Sequence, residues 1–298
     1  MEYKSNRRSF LSTLGALSVA VPFGGLNLLG SVKVAKANDA PQKLDALKDK
    51  PVLTIAHCCD PQLGFGKSPD KADAYQVDLA RLRKEIELVN RVKPDLVFFA
   101  GDMANNCKRL ADDWPELLKT IDAPCLVAPG NHDIPDPVVS SGVQRFRAVF
   151  GDDFATTTCN GWKIVAFNSQ YCRPTDEKEL YEEHVARFRK ELEDAKASGT
   201  PLIVGSHVPP FVKELDEKDE YFNFPTNIRR EFLDYCVDSG VKFYLAGHTH
   251  TTLERSYRDV PILNGETTSQ NFDGRPFGFR ILRIDAARNY AWDFTPVE

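Results

Sequence analysis

Five short apolar runs in this chain each stop at a side chain able to hold a metal ion. VLTIAHCC runs into Asp60, LVFFAG into Asp102, CLVAPG into Asn131, LIVGS into His207 and FYLAG into His248. Taken singly, Gly-Asp and Asn-His are ordinary turn chemistry; five repeats of one arrangement constrain the fold. Stretches with apolar residues at helical spacing also occur along the chain. They hold Tyr75, Leu79, Leu82, Ile86 and Val89, then Leu180, Val185, Phe188 and Leu192 within 177–197, then Ile228, Phe232, Tyr235 and Cys236. This alternation predicts α/β layering. In α/β sheets ligands bind beyond the C-terminal strand ends, because the loops there gather side chains from several strands into one crevice. The last fifty residues read instead as strands at 251–256, 261–264, 279–284 and 290–294 joined by turns.

Composition narrows the partners. The 298 residues are 42% hydrophobic and 27% charged, the balance of a globular protein rather than of a disordered, collagenous or polytopic membrane chain. Of 38 Lys+Arg and 43 Asp+Glu, five bases and one acid lie in residues 1–37, so the remainder is more acidic, 33 bases against 42 acids. Such a body is a poor binder of nucleic acid or anionic membrane, both of which need positive surface. A phosphate substrate would need positive charge from a local source.

Residues 1–37 read as an address. Arg7 and Arg8 stand just ahead of a mildly apolar stretch, 11–32, interrupted by Ser, Thr, Gly and Pro22, and Ala35-Lys36-Ala37 supplies a small-x-small pattern. The segment resembles a twin-arginine export signal cleaved before Asn38, which implies the export machinery and signal peptidase as partners, a periplasmic or extracellular location, and no stable membrane anchor. That pathway generally moves folded proteins, often with metal bound. Residues 38–50 read as a polar linker, and 51–298 as one large domain. The seven cysteines form no CxxC pair or disulfide framework; Cys159 and Cys172 are the two placed to join in an oxidising compartment, and buried free thiols are the reading for most.

In order, the polar blocks are Asp60-Pro61-Gln62, Gly101-Asp102, Gly130-Asn131-His132-Asp133, His207 and Gly247-His248-Thr249-His250. This ordered set resembles the calcineurin-like metallophosphoesterase superfamily, whose blocks are D-x-H, GD, GNH[DE], a lone His and GHxH. YFNFP at 221–225 and DGRPFGFRIL at 273–282 are similar to the branch carrying D-x-Q, which includes a protein regarded as a serine/threonine phosphatase. The resemblance implies two mixed β-sheets packed as a sandwich between helices, a four-layer αββα fold.

It also implies a dinuclear phosphoester hydrolase. Hydrolysis at neutral pH needs a nucleophile made from water and neutralisation of phosphoryl charge, and two metal ions about 3.5–4 Å apart supply both. Carried onto this chain, Asp60, Gln62, Asp102 and His250 would hold one ion and Asp102, Asn131, His207 and His248 the other. A bridging hydroxide would attack phosphorus in line. His132 would protonate or stabilise the departing oxygen, and Asp133 would orient His132. Gln62 replaces the histidine found in most of the superfamily; an amide oxygen is a weaker, harder ligand, which favours divalent or mixed-valence Mn or Fe over Zn. Asn105 stands where purple acid phosphatases carry a tyrosine ligand, so a purple iron site is not expected.

His57 reads as a core residue or a support of the ligands, and His184 as core. Loops 63–70, 134–142, 171–178, 208–226 and 269–278 form the rim, with Lys67, Arg173, Phe211, Tyr221, Phe222, Gln270 and Arg275 in reach; Asn223 and Gln270 are substrate candidates on resemblance alone. The expected activity is a phosphomonoesterase acting on a small molecule or phosphoprotein. A phosphodiesterase on nucleotides or lipid head groups, or a non-catalytic metal-binding protein on the same fold, are the alternatives.

Overall fold

The computed structural model describes residues 47, 49–66 and 74–297. The export-signal reading, most of the linker and Lys67 lie outside them. Two sheets form the centre. The first joins β1 (Pro51–Cys58), β2 (Leu96–Phe99), β3 (Cys125–Val127), β10 (Gly278–Asp285) and β11 (Tyr290–Pro296) in the order β11-β10-β1-β2-β3. The second joins β4 (Ala155–Cys159), β5 (Trp162–Ala166), β6 (Leu202–Gly205), β7 (Val241–Ala246), β8 (Leu253–Tyr257) and β9 (Val260–Asn264) in the order β4-β5-β6-β7-β9-β8. Both are mixed. β1, β2 and β3 run parallel and so do β5, β6, β7 and β9, while β10, β11, β4 and β8 pair antiparallel to their neighbours.

Three layers of apolar side chains separate four layers of structure. Helices α1 (Ala74–Val92), α2 (Leu110–Leu118) and α3 (Ser140–Phe150) cover the first sheet through Leu79, Leu82, Trp114 and Phe146. Helices α4 (Lys178–Ser198) and α5 (Thr226–Asp238) cover the second through Phe188, Leu192 and Phe232. Between the sheets lie Ile55, Phe98, Ile164, Ile203, Phe243 and Leu282. Burying each such side chain contributes roughly 1.5–3 kcal/mol. The result is the αββα sandwich. Among the described residues no helix is long and apolar enough to cross a membrane.

His57 and Arg280 are register partners on β1 and β10 and both are fully buried. Burial, then the neighbouring Arg280 charge, pushes the His57 pKa well down, so it packs as a neutral ring. His184 is held among the rings of Tyr171, Phe154 and Phe167, and burial lowers its pKa to about 3. All seven cysteines are free thiols. Cys159 hydrogen-bonds the Asp95 carbonyl and packs against the inter-sheet core, whereas Cys172 is buried under α4 and α5 on the other face of that sheet, so the two do not pair.

Buried Glu85 on α1 offers a stability test. Burial pushes its carboxyl from 4.5 up to about 8, against hydrogen bonds from Cys58 and Thr268 that lower it. The folded chain therefore keeps a proton that the unfolded chain releases. The resulting penalty is absent below pH 4.5, grows as pH rises and is complete above about 8. Glu85→Gln removes it. Urea midpoints should show the variant gaining on the parent between pH 5 and pH 8, by a few kcal/mol at most; a pH-independent difference would refute the buried-proton account.

Candidate dinuclear metal centre

The parallel strands set the site. β1, β2 and β3 release Asp60 and Gln62, Asp102, and Asn131 at one edge, and β6 and β7 release His207, His248 and His250 at the facing edge. All the side-chain oxygens thus come from the first sheet and all the imidazoles from the second. Asp60, Gln62, Asp102, His248 and His250 have positive φ, between 33° and 69°. Left-handed backbone is uncommon for non-glycine residues and costs on the order of 1 kcal/mol each. Here it turns each chain sharply at a strand end and throws its side chain into the cleft.

Two sets of these side chains lie close together, Asp102 with Asn131, His207 and His248, and Asp60 with His250. Donor atoms of Asp102, His207 and His248 lie within 4.8 Å of one another. His207 Nε2 is 3.3 Å from Asp102 Oδ2 and 3.0 Å from Asn131 Oδ1. His250 Nε2 is 3.3 Å from Asp60 Oδ1. The Gln62 N–H donates to the Asp102 carbonyl (2.8 Å), tying the residue to the same edge.

Four histidines share one device. His207 Nδ1 lies 2.7 Å from the Ala100 carbonyl, His248 Nε2 3.0 Å from that of Tyr221, His250 Nδ1 2.5 Å from that of Gln270, and His132 Nδ1 3.0 Å from that of Asn105. A carbonyl only accepts, so in each ring that nitrogen donates and the other is left to face the cleft. Metal-binding imidazoles are ordinarily fixed in this way. Buried Gln62 Oε1 has no hydrogen-bond partner among the described residues, and a buried amide does not stay unpartnered without cost. Burial lowers the His207 pKa, but the Asp102 and Asp60 carboxylates outweigh it and hold it up at about 9, so this acceptor cluster draws positive charge. A pair of divalent cations fits the donor set.

The surroundings hold these groups in place. Asp60 Oδ2 accepts from the His248 N–H (2.9 Å), and the Asp60 carbonyl accepts from the Thr267 and Ser269 hydroxyls (2.6 and 3.0 Å). Asp102 Oδ1 accepts from the His132 N–H (2.9 Å). Tyr221 accepts from Asn131 Nδ2 on its hydroxyl (2.8 Å) and from His248 and Arg173 on its carbonyl, so one exposed loop residue fixes both an amide and an imidazole. Phe65, Phe272 and Phe222 stand against the rings of His250 and His248.

Several sequence expectations change. Asp133 does not touch His132: it is fully buried, and its two oxygens accept from the Met103 and Gly130 N–H groups (2.8 and 2.9 Å), folding back to close the turn. The Asn105 carbonyl orients His132 instead. Asn223 is 3% exposed and spends its amide inside its own loop, on Glu217, Lys218 and Glu220, so it faces no substrate. Gln270 reaches the site through its main chain. Phe211 is a core residue. The sequence reading passed over Thr267 and Ser269, for which the run Thr267-Thr268-Ser269 soon after a strand was the visible signal, and it took Asn105 only as the place of a missing tyrosine, not as a main-chain support of His132.

A parallel-strand crescent ending in clustered carboxylates and imidazoles defines a metal-dependent hydrolase, and the comparisons agree. The calcineurin-like phosphoesterase family model matches residues 53–252, and the chain belongs to that family of phosphoester hydrolases. It is 24% identical over 247 residues to the serine/threonine-protein phosphatase CPPED1 of Bos taurus, covering 77% of this chain and 79% of the relative. To the CPPED1 of Danio rerio it is 25% identical over 243 residues, covering 76% and 79%. Its fold is similar to that of a dimetal phosphatase from Danio rerio, at a TM-score of 0.57 and 14% identity over 84% of this chain and 98% of that one.

Proposed function

We propose that the chain is a dinuclear phosphomonoesterase, with one ion held by Asp60, Gln62, Asp102 and His250 and the second by Asp102, Asn131, His207 and His248. Three imidazoles and their facing side-chain oxygens, each ring locked by a main-chain carbonyl, carry this assignment. When bound, the ions supply a water-derived nucleophile and offset phosphoryl charge. The protein does the rest. The carbonyls of Ala100, Tyr221 and Gln270 keep each ligand nitrogen aimed. Asn131 is held by Tyr221 with its oxygen toward the cleft. His132, its Nδ1–H committed to Asn105, keeps Nε2 for the leaving oxygen, to which it would give a proton when the ring is the imidazolium, returning to the neutral Nδ1–H form. Asp133 positions this turn rather than taking part in proton transfer.

The amide oxygen of Gln62 favours Mn or Fe over Zn. The relatives' names support a phosphoprotein or other phosphomonoester as substrate. Arg7-Arg8 and Ala35-Lys36-Ala37 support export through the twin-arginine machinery, with 51–298 as the working domain.

After chelation and reconstitution with Mn²⁺, p-nitrophenyl phosphate should be hydrolysed at least about tenfold faster than bis(p-nitrophenyl) phosphate. The opposite ratio would make the chain a phosphodiesterase; bound ions with no turnover of either ester would make it a non-catalytic metal-binding protein. Tyr221→Phe frees the Asn131 amide but keeps the main-chain bonds to His248 and Arg173. Chelator competition should show the second ion bound about tenfold more weakly, and unchanged affinity would mean Asn131 is fixed by other contacts.

A further inference from the structure

A cavity of about 380 Å³ opens beside the centre, with Asn131, His132 and His248 on its inner wall. Tyr221 lines it too, and its ring is treated unlike almost every other in the molecule. The fold packs its aromatic side chains wholly or partly into the apolar layers. Among the described residues only Tyr221 and Phe272 leave theirs exposed, at 53% and 52%. Both stand on imidazoles of the 247–250 turn, Tyr221 4.7 Å from His248 and Phe272 4.7 Å from His250. Of the two, Tyr221 is the one that lines the cavity. An open ring forgoes the burial that stabilises its counterparts, so exposed rings gathered at a site point to what the site holds.

What this tyrosine has left to offer is a flat face. Its hydroxyl is engaged by Asn131 Nδ2 (2.8 Å) and its carbonyl by His248 Nε2 and Arg173 (3.0 and 2.6 Å). Phe222 stands edge-on to the ring at 5.0 Å and His248 packs against it, so the ring is held in place. Arg81 and Arg109 cover the rings of Phe277 and Tyr75 at 3.9 and 3.6 Å, whereas the Arg173 guanidinium stops 6.0 Å from the Tyr221 centroid and leaves it uncovered. The rest of the wall asks for no charge. Arg173 lies 3.9 Å from Asp136, which also lines the cavity, and Pro135 and Val208 are apolar. A second phosphate would find no spare cation among these residues. A neutral planar group would find a platform, and paired aromatic rings gain more than the burial of the same area gives.

We propose that this cavity receives the alcohol part of the substrate, that the alcohol carries an aromatic ring, and that the Tyr221 ring is the surface it packs on. The proposal rests on the phosphomonoesterase reading, which sets the leaving oxygen at His132 and so the alcohol in the cavity that His132 lines.

The test compares kcat/KM on 2-phenylethyl, 2-cyclohexylethyl and ethyl phosphate with the protein at saturating Mn²⁺. All three release primary alcohols of similar acidity, so their rates differ through the tail. The parent should favour the phenylethyl ester over the ethyl ester by at least about tenfold and over the cyclohexylethyl ester by at least about threefold. Cyclohexyl is the more apolar tail, so simple greasiness predicts the reverse order. Tyr221→Leu should bring the phenyl-to-cyclohexyl ratio close to one. Tyr221→Phe, which keeps the ring and loses only the hydroxyl, should retain it. A parent that favours cyclohexyl or neither, a ratio that survives Tyr221→Leu, or a ratio lost equally in Tyr221→Phe would each overturn the proposal. Survival with all three rates lowered would make Tyr221 a support of the ligands alone. Tyr221→Met takes the place of the leucine variant if that one fails to fold or to hold the ions. p-Cresyl phosphate and N-acetyl-O-phosphotyrosine N-methylamide release the same kind of phenol; a higher rate on the second would assign the ring to a tyrosyl side chain, and an equal or lower one to a small aromatic alcohol. The ratio of p-nitrophenyl phosphate to its diester in the parent reports on the phosphomonoesterase reading alone, so the two can fail separately.

Discussion

Asp102→Asn should lower p-nitrophenyl phosphate turnover by about a thousandfold and reduce bound metal to one ion or fewer per chain. Asp102 is 1% exposed, with Oδ1 on the His132 N–H and Oδ2 3.3 Å from His207 Nε2. Burial alone would raise its pKa, but the surrounding histidines, His207 foremost, hold it well below the carboxylate range, so it is charged. Asparagine keeps the shape, removes the charge both ions would share, and turns an NH₂ toward either a ring nitrogen or an N–H. Losing about 4 kcal/mol of charge stabilisation corresponds to that thousandfold. Metal analysis and steady-state kinetics decide, and a variant with two ions and turnover within tenfold of the parent would remove Asp102 from the bridging position.

Gly130→Ala should be nearly as damaging, although Gly130 touches no ion. A Cβ there would lie 2.1 Å from Asp102 Oδ1 and 2.4 Å from the Asp102 nitrogen. The turn cannot slide away, because the Gly130 N–H donates to Asp133 and its carbonyl accepts from the Asp133 and Ile134 N–H groups. The Asp102 carboxylate and main chain must move instead. Turnover should fall at least about a hundredfold, equivalent to about 3 kcal/mol, while overpacking lowers stability by about 1–3 kcal/mol. Chelator titration beside a urea melt separates the two effects; normal metal affinity would show that the carboxylate has room to adapt.

Much of this was legible in the residues. Each ligand strand is a run of apolar residues cut off by one polar side chain, so strand, edge and donor appear together in the text. Less visible were α2, interrupted by Pro115, α3, whose first residues resemble loop, and β4, whose ATTTC carries no apolar alternation. The site was misread where function passes through the main chain. Four carbonyls, on Ala100, Asn105, Tyr221 and Gln270, orient four histidines, and a carbonyl leaves no mark on residue identity. Asp133 and Asn223 were misassigned for a related reason. Both are short polar side chains in tight loops, where bonding their own backbone is the nearest option, and only the chain path reveals which choice was taken.

The division of donors, oxygens from one sheet and nitrogens from the other, makes each half of the sandwich an incomplete chelator. An ion held by donors from both would rivet the layers, and part of its affinity would then be cohesion of the whole protein. A packing defect deep between the sheets, far from any ligand, would change the bite of the centre by letting one layer shear across the other.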